Sequence, residues 1–185
     1  MKNEINKLSF TSGLILCGIA LLLMIIYRLI DPTLQFTSQL VGIINFCAII
    51  TIMTILTVRI RNINGGYWPF KTAFRSLAII SITVSIALTL YNFLLFKFID
   101  PGLPENINNV MLNNITQTLS RLHISDEKMD RLSKPFKDGT FEGKFSPTFK
   151  NELSNLIIGL LFFLCISLII AAFVKKKPII KHNIN

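Results

Sequence analysis

The sequence predicts an all-α, polytopic membrane protein: four transmembrane helices in two antiparallel hairpins, with a helical extracytoplasmic loop between helices three and four. Three observations lead there. The 185 residues are 51% hydrophobic and 16% charged, with a mean hydropathy of +0.57, which is too apolar and too sparsely charged for an ordinary soluble domain. Four apolar runs, at about residues 8–30, 34–58, 70–99 and 150–176, match the ~20 residues a helix needs to cross ~30 Å of hydrocarbon. The one long polar segment, about residues 101–149, lies between the third run and the fourth, so the whole chain, 1–185, reads as a single membrane domain.

Helix one follows a short polar start and runs from Leu8 to Ile30. It exceeds the ~7–15-residue apolar core of a signal peptide and lacks a small-residue cleavage site, so it is expected to be retained. Leu14-Ile15-Leu16-Cys17 is not a lipoprotein signal, because Leu16 is bulky and the apolar run continues past Cys17. Pro32 pushes Asp31 out of helical geometry and suits the first turn of the next helix, which makes Asp31 the expected N-cap. Helix two, from about Thr33 to Val58, stops at a basic connector, Arg59 to Arg75 (RIRNINGGYWPFKTAFR). This connector carries Arg59, Arg61, Lys71 and Arg75 and no acidic residue. Gly65 and Gly66 read as a hinge, Tyr67 and Trp68 as anchors at the membrane–water boundary, and Pro69 as the opening of helix three. So short a connector makes helices two and three antiparallel neighbours.

Helix three, from about Pro69 to Ile99, is longer than the hydrocarbon thickness and must tilt or project. Its exit, Phe96-Lys97-Phe98-Ile99-Asp100-Pro101, aligns with Tyr27-Arg28-Leu29-Ile30-Asp31-Pro32 of helix one. Two readings stay open: a parallel repeat of two hairpins, as in some transporters, or a common way for helices to leave a membrane. In the polar segment, Ile107, Val110, Met111, Ile115, Leu119 and Leu122 recur at spacings of three and four, which predicts an amphipathic helix. Its other face is rich in Asn and Thr, which suits a helix packed on the protein or lying at the interface. Ser125, Asp126 and Glu127 read as the N-cap and first turn of a second short helix, ended by Pro135. Phe136, Phe141, Phe145 and Phe149 are expected to tuck the loop against the membrane surface rather than to recognise a ligand. Ser146-Pro147 has the N-cap and first-position pattern for helix four, whose apolar core is Leu153 to Val174. That helix ends in Lys175, Lys176 and Lys177, with Lys181 beyond.

The charges divide by side. Lys2, Lys7, Arg59, Arg61, Lys71, Arg75, Lys175, Lys176, Lys177 and Lys181 face one way with Glu4 alone against them, which is the entire net charge of +9. The other loops hold nine basic and nine acidic residues. By the positive-inside rule the basic side is cytoplasmic, with both termini there and the long loop in the periplasm of a bacterial inner (cytoplasmic) membrane. Anionic lipid contributes ~1 kcal/mol for each Lys or Arg near its surface. Membrane lipid, not nucleic acid, is therefore the expected partner of these clusters.

Acid–base chemistry and proton transport in a bilayer use ionisable groups within the spanning part, and the runs hold none at their centres. The most polar interior residues are Asn45 and the stripe Ser81, Ser85, Thr89 and Asn92. Packing is the plain explanation, with amides and hydroxyls hydrogen-bonding across helices for ~0.6–2 kcal/mol; a substrate pathway is the competing one. Gly13, Cys17, Gly18 and Gly159 are given the same packing role. His123 and His182 fall in different compartments, so they form no common metal site, and no cofactor is expected. Gly65-Gly66 lacks the Lys-Ser/Thr of a phosphate loop, and no catalytic triad can be assembled. The three cysteines, Cys17, Cys47 and Cys165, lie in apolar runs and pack as small residues.

Gly66-Tyr67, Phe70, Ala73-Phe74, Phe98-Ile99-Asp100-Pro101, the loop helix, Ser125-Asp126-Glu127 and the closing Ala172-Phe173-Val174-Lys175-Lys176-Lys177 together resemble a four-transmembrane-helix family of unknown function from Bacteroidota, DUF4199. The resemblance covers nearly the whole chain. It implies the architecture and an inner-membrane location and supplies no catalytic residue; this loop departs from the family pattern in being Asn-rich and less acidic. The expectation is thus a structural or partner-binding membrane protein, not an enzyme, that engages another membrane protein or a second copy of itself. The alternative is an oligomeric small-solute transporter or channel using Ser81, Ser85, Thr89 and Asn92. A reporter active only in the periplasm and fused after Lys181 should be silent; strong activity there overturns the topology.

Overall fold

A computed structural model describes residues 2–122 and 124–176, apart from the side chains of Lys2 and Asp126. Every regular element among them is helical: α1 (Lys2–Ile30), α2 (Leu34–Thr37), α3 (Gln39–Ile63), α4 (Phe70–Leu94) continued by a π-helical turn (Leu95–Ile99), α5 (Leu103–Arg121), α6 (Asp126–Lys137), α7 (Thr140–Gly143) and α8 (Phe149–Val174). Four of these are long and apolar enough to cross a membrane, namely α1, α3, α4 with its π-turn, and α8.

Those four leave most of their apolar surface uncovered. Only 22 to 33% of the most apolar stretch of each is buried, and large side chains such as Leu29, Leu40, Ile43, Leu161 and Phe173 are exposed. In water, soluble monomers rarely expose apolar patches larger than a few hundred Å². In hydrocarbon such a surface is stable, and a helix satisfies its own backbone there. The four helices accordingly mark the chain as a membrane protein.

The chain forms two compact units. The first draws its described residues from 2–21, 45–88 and 156–176, the second from 22–44, 89–122 and 124–155. In the first unit Leu16, Met53, Ile60, Leu77, Ile80 and Ala171 are buried in one core. Helices α1 and α4 approach closely there, since a Cβ added at Gly13 would lie 2.9 Å from Thr83 Cβ. One turn on, Cys17 Sγ lies 3.7 Å from the Thr83 carbonyl oxygen. Gly18 and Gly159 differ from expectation, because a Cβ at either would meet nothing within 4 Å. Neither serves close packing.

In the second unit Leu95, Phe96, Leu103 and Ile107 form the core. Phe36 packs on Phe96 with centroids 5.5 Å apart, Phe96 on Phe145 at 5.6 Å, Phe145 on Phe141 at 5.4 Å, and Phe141 on Phe136 at 4.4 Å. The loop phenylalanines expected at a membrane surface therefore close a core instead. Phe149 alone among them is largely exposed.

Helix boundaries depart from the sequence reading where local caps compete. Asp31 is not an N-cap: its Oδ1 accepts bonds from Thr33 N (2.7 Å) and Thr33 Oγ1 (2.8 Å), a turn that moves the cap to Thr33. Helix two is broken at Ser38, whose backbone is extended (φ −93°, ψ 112°) and whose Oγ accepts from Val41 N at 3.4 Å, capping α3. Helix α3 then continues through Arg59 and Arg61 to Ile63, which shortens the connector to residues 64–69. Pro135 lies inside α6 and does not end it. The carbonyl that it deprives of a donor is that of Arg131, whose residue is exposed to solvent. Helix α8 starts at Phe149, because Thr148 takes the cap, accepting from Glu152 N at 3.0 Å and Asn151 N at 3.4 Å. Pro147 holds Ser146 outside helical geometry.

Replacing Gly13 by Leu should overlap Thr83 and lower stability by ~1–3 kcal/mol, whereas Gly18→Leu should be close to neutral. Loss of helicity on titrating sodium dodecyl sulfate into micelles of a mild detergent measures both.

Candidate functional site

At the end of α3, Arg61 Nη1 donates to Val174 O at 3.1 Å, satisfying a carbonyl that the last turn of α8 leaves without a helical partner. Gly65 and Gly66 have φ of 83° and 79°, and Gly66 N donates to Arg61 O at 3.0 Å. These are left-handed residues that terminate α3, a role open to Gly because it lacks Cβ. Beyond them Trp68 N donates to Lys176 O at 3.1 Å and Lys176 N to Trp68 O at 2.8 Å, a single antiparallel bridge. This pairing turns Trp68 into the core, where it is 1% exposed, while Tyr67 remains 51% exposed. Of the two expected boundary anchors, Trp68 is corrected to a core residue.

Arg59, Lys71, Arg75, Lys175 and Lys176 are exposed in this first unit. Lys177, Lys181, His123 and His182 lie outside the described residues. Among the described residues the first unit carries eight basic residues against Glu4, and the second nine of each sign. The partition by compactness thus coincides with the partition by charge.

The interior polar residues separate into two groups. Ser81 Oγ lies 2.8 Å from Ser167 Oγ and 3.5 Å from Phe163 O, joining α4 to α8. Ser85 is buried nearby, with no hydrogen-bond partner for its Oγ. Asn45, on α3, is half-buried in the same unit, whereas Thr89 and Asn92, also half-buried, belong to the second unit. A pair absent from the sequence reading is Ser9 with Ser76, oxygen to oxygen 2.7 Å, with Ser9 Oγ donating to Ile5 O at 2.7 Å. The signal was present in the spacing of Ser76, Ser81 and Ser85. Ser9 was hidden by its place at the start of the first apolar run, close to Thr11 and Ser12. Among the described residues, the buried polar side chains of this unit are all Ser or Thr. Such hydroxyls bond helices together and carry no charge to relay.

In the second unit Arg28 Nη2 donates to Asp100 Oδ2 at 3.0 Å, with the two side chains 26% and 27% exposed. This links the two similar helix exits, though not symmetrically. Lys97, the counterpart of Arg28, lies 5.0 Å from the Phe93 ring centroid and 5.5 Å from that of Phe98, while Asp31 serves Thr33. The loop is clasped by Asn108 Nδ2, which donates to Phe136 O at 2.9 Å, and by Asn151 Nδ2, which donates to Gly143 O and Ser146 O at 2.9 and 3.0 Å. Lys137 Nζ, 2.8 Å from Asp130 Oδ1, holds the Asp130 carboxyl below the usual carboxylate range. Hydrogen bonds from Thr140 do the same to Asp138. Between α5 and the α2–α3 break lies a groove of about 720 Å³ with Phe36, Met111, Ile115 and Leu119 as its apolar wall. No group of three or more His, Cys, Asp or Glu suited to a metal occurs among the described residues.

A family model described as "Protein of unknown function (DUF4199)" matches residues 11–176, a stretch that reaches all four membrane-length helices. No curated protein and no solved structure matches the chain.

Substituting Arg28 by Gln should cost ~1–3 kcal/mol, since it strands a partly buried carboxylate. Arg28→Gln combined with Asp100→Asn should recover part of that loss. Thermal unfolding of the two single variants and the double variant in detergent gives the coupling.

Proposed function

The chain belongs to the DUF4199 family, and from that premise we propose that it is a non-enzymatic, four-helix protein of the bacterial inner membrane that works by binding. Its outer loop or exposed helix faces engage another membrane component, a second copy of itself or another membrane protein. Helix α1 with α2–α3 forms one antiparallel hairpin, and α4 with α8 forms the other. The termini and the 64–69 connector face the cytoplasm, and α5 to α7 face the periplasm. The charge partition supports this orientation, because the unit that holds the start of α1, the connector and the end of α8 carries eight described basic residues against Glu4, while the other carries nine of each sign. Exposed Arg59, Lys71, Arg75, Lys175 and Lys176 then lie against anionic headgroups.

The observation that carries the binding reading is the pairing of the interior hydroxyls, Ser9 with Ser76 and Ser81 with Ser167. Side chains that satisfy one another between helices hold a bundle shut and give no means to activate a nucleophile or relay a proton. A second reading, an oligomeric small-solute channel, draws on the buried Ser85 hydroxyl with no partner and on the half-buried Thr89 and Asn92 of the same helix. Purified protein in liposomes separates the two. The binding reading expects solute release no faster than from protein-free vesicles, and reproducible flux abolished by Asn92→Ala overturns it.

A further inference from the structure

The groove beside α5 exists because helix two breaks. Helix α2 ends after four residues, Ser38 is extended, and α3 begins at Gln39 with Gly42 in its first turns. A Cβ at Gly42 would meet nothing within 4 Å, so the missing side chain leaves the space open. At about 720 Å³ the groove falls in the ~300–1,000 Å³ range of small-molecule sites, which also favour gaps between helices of a bundle.

Its lining contains no Asp, Glu, Lys, Arg or His, so it is not built to read a charge. The hydroxyls in it are already engaged. Thr37 Oγ1 donates to Thr33 O at 3.0 Å, Thr118 Oγ1 to Asn114 O at 2.8 Å, and Ser38 Oγ caps α3. The polar groups left for an occupant are the carboxamides of Gln35, Gln39 and Asn114, each with two N–H donors and an acceptor oxygen. Gln35 Oε1 is buried without a partner, which is costly unless a donor arrives. Against these amides stands an apolar wall that includes Met111 and Ile115.

The level of the groove identifies the occupant. Gln39 is the first residue of a membrane-length helix, and Leu40 and Ile43 just below it are exposed. The groove therefore spans the step from polar loop to hydrocarbon, and its open apolar side continues onto the uncovered face of α3. We propose that it holds a diacyl membrane lipid. The carboxamides donate to the ester carbonyls, Gln35 Oε1 accepts from a headgroup hydroxyl or ammonium, and one acyl chain passes over Gly42 against Met111 and Ile115. The ester–glycerol zone supplies acceptors where the amides supply donors, and no formal charge is needed at that level. A small polar solute would leave the apolar wall wet, and a charged one would find no counter-ion.

The inference rests on α3 crossing a bilayer, and the experiment tests that separately. The full chain is placed in nanodiscs of phosphatidylethanolamine and phosphatidylglycerol that contain a trace of phospholipid with a diazirine on its acyl chain. After irradiation, labelled peptides are mapped by mass spectrometry. Labelling is expected at Met111 and Ile115 of α5, a helix not apolar enough to span, as well as on exposed α8. Gly42→Trp should fill the groove and lower the α5 labelling about tenfold, as loss of the bound chain requires. Gly159→Trp, at an equally open position on α8, should leave it unchanged. Gln35→Ala with Asn114→Ala removes only groove-lining amides, neither of which donates a side-chain bond that holds a helix, and should lower the labelling about threefold. Unchanged α5 labelling in Gly42→Trp and in the double variant overturns the proposal, as does α8 labelling without α5 labelling in the parent. Absence of label from α8 and α3 together overturns the membrane reading itself. Displacement of the label by water-soluble peptide or solute, with no effect of added lipid, assigns the groove to another occupant and also overturns the proposal.

Discussion

Hydrocarbon offers no partner to a hydrogen-bonding group, and the structure follows from that constraint. Each membrane-length segment is helical because a helix bonds its own peptide groups. Several hydroxyl side chains inside the first unit face one another, as Ser9 faces Ser76 and Ser81 faces Ser167, or return to their own backbone, as Thr57 Oγ1 donates to Met53 O at 2.8 Å. At the ends of helices, where carbonyls are left over, side chains reach them. Arg61 serves Val174 O, and Asn64 Nδ2 serves Ile60 O at 2.8 Å.

Among the described residues, the irregular turns next to or within the membrane-length helices at Ser38 and at 95–99 both lie in the second unit. The π-turn closes with Asp100 N donating to Leu95 O at 2.8 Å, and the break at Ser38 is capped by its own hydroxyl. Both irregularities are held by packing. Phe36, next to the break, and Phe96, in the π-turn, meet Phe145 from the loop, and such ring pairs contribute ~0.5–1.5 kcal/mol each beyond burial. The loop is thus a folded part of the protein with its own core.

The four apolar runs were legible because length and composition alone decide whether a helix can span. The amphipathic α5 was legible because its apolar residues keep helical spacing. Caps were less so: Asp31, Ser38, Ser146 and Thr148 all have side chains able to cap, and which one does depends on the direction from which the chain arrives. Trp68 was misplaced for a similar reason. Its ring suits an interface, yet its backbone pairs with Lys176, a residue that no local pattern connects to it. The interior serines were half visible, since α4 displays its own share of the pairs while the partners on α1 and α8 stand among unrelated neighbours. The groove was invisible, as it depends on a break that spacing does not reveal and on Gly42, one glycine among several.

The bonds joining Arg61 and Trp68 to Val174 and Lys176 connect parts of the chain made at very different times. Arg61 and Val174 are 113 residues apart, with α4 and the whole loop between them. A ribosome that has released the connector still has nearly half of the chain to make before those partners exist, and contacts between distant residues form only after the intervening chain has been ordered. Until then Trp68 has an open main-chain donor and acceptor, and Arg61 has no carbonyl of α8 to reach. Closure of this clasp is therefore a late event in biogenesis, and it takes place only in chains whose last helix has been delivered alongside the others.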